Sequence, residues 1–153
     1  MSAFEPVDAD WEARLRSSFA RQTVMTTFGA TLGRVAPGEV EILLPYRADL
    51  CQQHGFLHAG VVSTIADSAG GYAGFTLFPP DASILTVEFK INMLAPADGD
   101  RLRAVGRVYK PGRTLTICQV EAWMRKDGRE RACAVMQQTL MTIGPRPDIA
   151  AAG

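Results

Sequence analysis

His58-Ala59-Gly60-Val61-Val62-Ser63-Thr64-Ile65-Ala66-Asp67-Ser68-Ala69-Gly70-Gly71-Tyr72-Ala73-Gly74-Phe75 belongs to the longest mostly apolar run of the chain, which extends from Ala59 to Phe78 and carries one charge, Asp67, and four glycines. Val61, Val62, Ile65, Ala66 and Ala69 cover much of the circumference of a helix drawn through it, and a helix apolar nearly all round is a buried one. The charge and the glycines argue against a membrane span. The chain downstream reads as strand. Ser83 to Leu94 precedes Pro96, and Arg101 to Tyr109 alternates Leu102, Ala104, Gly106 and Val108 with Arg101, Arg103 and Arg107. Those three arginines share one strand face and are expected to point to solvent. Thr114 to Arg125 and Arg129 to Ile143 flank Asp127-Gly128, a strong hairpin signal.

Upstream, Ala30 to Val35 and Glu39 to Pro45 flank the turn Pro37-Gly38 and read as a second hairpin. Trp11, Leu15 and Phe19 recur every four residues, so Asp10 to Gln22 reads as a short amphipathic helix that Asp10 can cap. The order is a short N-terminal helix, two strands, one buried helix and about four long strands. That is an α+β pattern, in which an antiparallel sheet of five to six strands wraps around the central helix. Such a sheet leaves edges to protect, and dimerisation can protect them. Pro145 to Gly153 reads as a loose tail.

A chain of 153 residues with 47% apolar and 21% charged residues suits one domain, residues 1–153. The 16 basic and 16 acidic side chains cancel, so no global field draws the protein to nucleic acid or a membrane. Cys51, Cys118 and Cys133 form an odd set without regular spacing, which argues against a disulfide framework. Cys118 and Cys133 lie in apolar strand-like runs and read as packed thiols. The acidic N-terminal residues hold no apolar signal stretch, and the cytoplasm is the expected location.

The densest chemistry lies in Gln52-Gln53-His54-Gly55-Phe56-Leu57-His58-Ala59-Gly60, with Asp67 beyond it. A glycine-containing loop runs into a helix N-terminus, where free N–H groups can hold a developing oxyanion. Asp67 is the only charged residue between His58 and Asp81. A carboxylate on an apolar helix is costly unless it is used or satisfied, and its position suits a nucleophile or general base in acyl transfer. An Asp filling a polar gap in the packing is the plain alternative. Cys51, His54 and His58 match no zinc spacing and have no evident fourth ligand, so no metal is expected.

His58-Ala59-Gly60 followed by Asp67 resembles the signature of phenylacetate-pathway-type (PaaI-like) hotdog thioesterases, a His-Gly-Gly followed by Ala-Asp-Ser/Thr-Ala. Thr86-Val87-Glu88-Phe89 through Leu94-Ala95-Pro96 resembles that family's next strand, and Lys110-Pro111-Gly112-Arg113-Thr114-Leu115 is similar to its basic turn. The resemblance covers about residues 25–144. It implies a hotdog fold and an acyl-CoA thioesterase acting on a small to medium acyl or aryl-acyl group. Asp67 would be the nucleophile or general base, and the Ala59 N–H, in place of a family glycine, the oxyanion donor. Gln52 would stand near the leaving sulfur where many members have Asn. Thr86 would orient the attacking water, and His58 would fix the loop or position the thiol. Gly60, Lys110, Gly112 and Arg113 would contact substrate, the two cations at the coenzyme A phosphates. The resemblance further implies a homodimer with shared sites, or a dimer of dimers, and no cofactor beyond the coenzyme A of the substrate.

A non-enzymatic acyl-CoA binding module is the alternative, since one fold serves several functions. A hotdog dehydratase fits less well, because Pro79-Pro80 lies in the wrong context. Phe56, Tyr72, Phe75 and Phe78 could line an acyl pocket, with core packing the default.

Overall fold

In the strands that begin at Glu39, Arg101, Leu115 and Arg129, every second side chain in the centre of the sheet turns toward the same helix. The computed structural model describes residues 4–144. Its elements are α1 (Trp11–Arg21), α2 (Thr23–Phe28), β1 (Thr31–Ala36), β2 (Glu39–Pro45), α3 (Ala59–Phe75), β3 (Ser83–Met93), β4 (Arg101–Lys110), β5 (Leu115–Lys126) and β6 (Arg129–Ile143), with a 3-10 turn at Ala48–Leu50. Val40, Ile42 and Leu44 of β2, Leu102 and Ala104 of β4, Cys118 and Val120 of β5, and Met136 and Leu140 of β6 are all buried. This is the period of two expected when one sheet face is covered.

The six strands form one antiparallel sheet in the order β1-β2-β4-β5-β6-β3. The helix α3 packs against β2 through β6, so the sheet curves around it in the hotdog arrangement. Gly106 of β4 lies under α3 so closely that a methyl group there would overlap the Ala69 carbonyl. At the β5–β6 turn, Asp127 and Gly128 have φ of 51° and 76°, the paired left-handed residues that a tight two-residue hairpin needs. Leu15 of α1 is fully buried and joins the same apolar cluster as α3.

Several local expectations change. Asp10 makes no side-chain cap; Asp8 Oδ1 instead accepts from Asp10 N at 2.9 Å, and Asp8 Oδ2 accepts from Arg14 Nε at 2.7 Å. A second helix, α2, follows α1 directly and ends at Gly29 with φ 75°. Arg103 and Arg107 are not simply solvated. Arg103 pairs with Glu130 at 2.6 Å and Glu41 at 3.4 Å, and Arg107 with Glu39 at 2.9 Å and Glu121 at 3.3 Å. These are cross-strand pairs on the outer face, with each partner on another strand. The expected tail at 145–153 lies outside the described residues.

Cys118 and Cys133 are buried free thiols, and burial pushes them up to about 12 and about 11. Tyr72 and Phe78 are core residues; Phe75 packs beside them with the Arg14 guanidinium 4.2 Å from its ring centre. No helix among the described residues is long and apolar enough to cross a membrane.

Candidate active site

The loop between the 3-10 turn and α3 folds on itself before it delivers the helix. Gln52 N donates to Phe56 O at 2.9 Å, Gly55 N to Gln52 O at 3.0 Å, and Cys51 bridges Leu57. Gly55 supplies the positive φ, 81°, that this reversal requires. The Gln52 side chain is used inside this loop, where its Oε1 accepts from His54 N.

His58 is the N-cap of α3. Its backbone is extended, with φ −60° and ψ 141°, and its Nδ1 accepts from Gly60 N at 2.8 Å. An imidazole accepting at Nδ1 carries its proton, when neutral, on Nε2. Val61 N and Val62 N both donate to His58 O, at 2.9 and 3.1 Å. In this first turn the Ala59 N–H is left without an acceptor among the described residues. It is exposed and lies at the positive end of the helix dipole, the end that stabilises an anion. Of the two small residues after His58, Ala59 is therefore the free donor.

Two turns along the helix, Asp67 is half-buried. Its Oδ1 accepts from Thr86 Oγ1 of β3 at 2.8 Å and from Gln138 Nε2 of β6 at 2.5 Å. Gln138 Nε2 also lies 3.0 Å from Asp67 O and 3.2 Å from Thr86 Oγ1. No hydrogen bond among the described residues reaches Asp67 Oδ2. The helix thus carries a carboxylate held at one oxygen and open at the other.

These contacts unite Asp67 and Thr86 and add Gln138, which sequence reasoning missed. The signal was available: Gln138 shares the inward register of β6 with Met136 and Leu140, where an amide is out of place. His58, Ala59 and Gly60 form a second cluster at the start of α3. Lys110, Gly112 and Arg113 form a third. All three are exposed, and the turn holds its shape because Gly112 N donates to Thr116 Oγ1 at 3.3 Å, while a side chain at Gly112 would overlap Leu115 O. No ion pair among the described residues uses Lys110 or Arg113. The end of β4 approaches the C-terminal end of α3: Val108 N donates to Gly38 O, and Gly38 N to Thr76 Oγ1. Within one chain, the basic turn and Ala59 therefore lie toward opposite ends of the helix. A cavity of about 770 Å³ opens on the outer sheet face, lined among others by Arg107, Glu121 and Gln137, and Asp67 is not among its lining residues. No group of three His, Cys, Asp or Glu among the described residues is placed to hold a metal.

Known proteins share sequence and fold with this chain. A family model described as Thioesterase superfamily matches residues 54–131, just over half of the chain. A crystal structure of a thioesterase family protein from Silicibacter pomeroyi is 52% identical, covers 88% of this chain and 98% of its own, and superposes with a TM-score of 0.87. The PaaI protein of the E. coli phenylacetic acid degradation operon is 17% identical, covers 89% of this chain and 95% of its own with a TM-score of 0.79, and so speaks to the fold alone. A Halobacterium salinarum protein provisionally named an esterase is 29% identical over 119 residues, 74% of this chain and 78% of its own length. The matched segment runs from the loop before His58 through α3 to β6, and on this basis the chain belongs to the thioesterase superfamily, a family of hydrolases.

Proposed function

We propose that the protein hydrolyses the thioester of a small to medium acyl or aryl-acyl coenzyme A, with Asp67 as the reacting carboxylate. The observation that carries this reading is the asymmetry at Asp67: Oδ1 is held by Thr86 and Gln138, and Oδ2 is free. A fixed carboxylate with one open oxygen can take a proton from water or attack a carbonyl itself. In the first route the water oxygen bonds to the thioester carbon and its proton passes to Asp67. In the second, Asp67 displaces the thiolate to form a mixed anhydride, which water then opens. In both routes the C–S bond breaks and coenzyme A leaves as thiolate, later protonated. The carbonyl oxygen becomes an oxyanion that the Ala59 N–H can hold. No cofactor beyond the coenzyme A of the substrate is needed. Lys110 and Arg113 supply charge for its phosphates. Three free cysteines suit a reducing cytoplasm, where the enzyme would act.

The site is built from two chains in this reading. Ala59 and Asp67 are eight residues apart on one helix, about 12 Å along its axis. A carbonyl oxygen must sit about 3 Å from its donor with the attacking group beside the same carbonyl, so one straight helix cannot supply both. Two antiparallel copies of α3 about a two-fold axis can, giving two equivalent sites per dimer. The edge strand β3 supports such an assembly. Among the described residues it pairs only with β6, and Leu85, Val87, Phe89 and Met93 on it are exposed. An apolar, unpaired edge is a liability that a second copy removes. A second pairing of dimers would make a dimer of dimers.

Thiol release from acetyl-, hexanoyl-, palmitoyl- and phenylacetyl-CoA tests the activity and ranks the acyl group. Hydrolysis of at least one, abolished in a folded Asp67→Asn protein, is the expected outcome. Binding without turnover across the panel would instead make the protein an acyl-CoA binding module.

A further inference from the structure

Gln138 is fully buried, between Met136 and Leu140 on the face of β6 that meets α3. An amide taken out of water must find partners, and Gln138 finds them on one side only. Nε2 is surrounded by Asp67 Oδ1, Asp67 O and Thr86 Oγ1, at 2.5, 3.0 and 3.2 Å. Oε1 is buried without a partner and faces Gly70, where a methyl group would overlap it. Turning the amide over would set Oε1 against the two Asp67 oxygens. Thr86 could not relieve this, because its hydroxyl already donates to Asp67. The amide is therefore held as a donor to Asp67, and its bare oxygen is accommodated by the absence of a side chain at Gly70.

We infer that Gln138 is a positioning residue for Asp67, fixing Oδ1 so that Oδ2 meets the substrate, and that Gly70 provides its seat. The inference rests on the reading of Asp67 as the reacting carboxylate. Its physical content is rotational. With Thr86 alone on Oδ1, the carboxylate can pivot about one hydrogen bond. A second donor on the same oxygen, itself tied to the Asp67 backbone carbonyl, removes that pivot. Misplacement of a reacting group by an ångström is enough to cost orders of magnitude in rate. Gln138 is itself fully buried and makes no hydrogen bond to Oδ2, so its loss should leave substrate affinity alone.

The test is steady-state hydrolysis of hexanoyl- and phenylacetyl-CoA by Gln138→Met, Gly70→Ala, Gln138→Ala and the double variant Gly70→Ala/Gln138→Ala, each with a melting curve. Gln138→Met is close in volume and has no donor. Its kcat should fall by at least about tenfold, with KM within about threefold and melting still cooperative. Gly70→Ala keeps the glutamine but displaces its amide and should reproduce the fall. In the Gln138→Ala background it should cost little more, because residues acting through one contact are not additive. A folded Gln138→Met enzyme with wild-type kcat, or independent losses in the double variant, would overturn the inference. If neither single variant folds, the Gln138 side-chain amide protons of the wild-type chain decide by NMR. Slow exchange that is lost in Asp67→Asn supports the contact, and fast exchange in the wild type refutes it. Asp67→Asn is assayed in parallel: retained turnover there removes Asp67 from the chemistry, whereas an inert Asp67→Asn beside a fully active Gln138→Met removes Gln138 alone.

Discussion

The two halves of α3 share one helix and divide its work. From Ser68 to Gly74 every residue is buried. Small residues let the helix lie directly on the sheet there, with Gly106 beneath Ala69 and Gly74 beside Leu140. From Ala59 to Asp67 a stripe remains open: Ala59 and Gly60 are exposed, and Ser63, Thr64 and Asp67 are half-buried. The Ser63 and Thr64 hydroxyls donate back to Ala59 O and Gly60 O, at 2.7 and 2.8 Å, which satisfies them without a partner from the sheet. The C-terminal half fixes the helix by contact of backbone with backbone, and that rigidity is what allows the other half to hold a carboxylate and a free N–H in place. Activity and stability should accordingly separate along one helix, except at Gly70, which seats the Gln138 amide.

The largest effect is expected in the open half. Asp67→Asn should lower kcat by at least about a hundredfold, roughly 2.7 kcal/mol of barrier, with an unchanged melting temperature. In the docked half the result should be reversed. Gly106→Ala forces a methyl group into the Ala69 carbonyl, which is backbone and cannot swing away. Chemical denaturation should show a loss of about 1–3 kcal/mol, while the folded fraction keeps its kcat. Equal losses of rate and stability in both variants would erase the division. The smallest effect is expected off the helix, at the basic turn. Arg113→Ala should raise KM for an acyl-CoA a few-fold and flatten its salt dependence, and should leave a short pantetheine thioester unaffected. Equal losses on both substrates would remove the turn from phosphate binding.

Strand positions with strong local chemistry were legible in the sequence. β2 and β6 begin and end where alternation and turn residues place them, and Asp127-Gly128 turns as its type demands. α2 was not legible, because Thr23-Val24-Met25-Thr26-Thr27-Phe28 is rich in β-branched residues with weak helix propensity. It is helical because Met25 is buried against the core and Gly29 ends it. The pairing of Arg103 and Arg107 with glutamates depended on strand register, which alternation alone does not set. At the site, the isolation of Asp67 stood out by itself. Thr86, 19 residues away, was given by resemblance a role in orienting water, and its hydrogen bond to Asp67 was not foreseen. Gln138 escaped because Gln137 stands beside it, and its period-two match to Met136 and Leu140 is the one feature that marks it as the inward-facing glutamine of the two.

The central claim is that the open half of α3 acts across a two-fold axis, the Ala59 N–H of one chain serving Asp67 of another. Ala59 is the first residue of the helix, and the backbone of His58 before it is extended. Proline is tolerated at that position and deletes the one N–H in question. Ala59→Pro and Asp67→Ala chains should each fold and each be inactive. Mixed and allowed to exchange subunits, they should form heterodimers in which one site carries both lesions and the other carries none. Thiol release should then return to about a quarter of the wild-type rate at random pairing. Verified heterodimers without activity, or a monomer that turns over acyl-CoA by itself, would contradict the shared site.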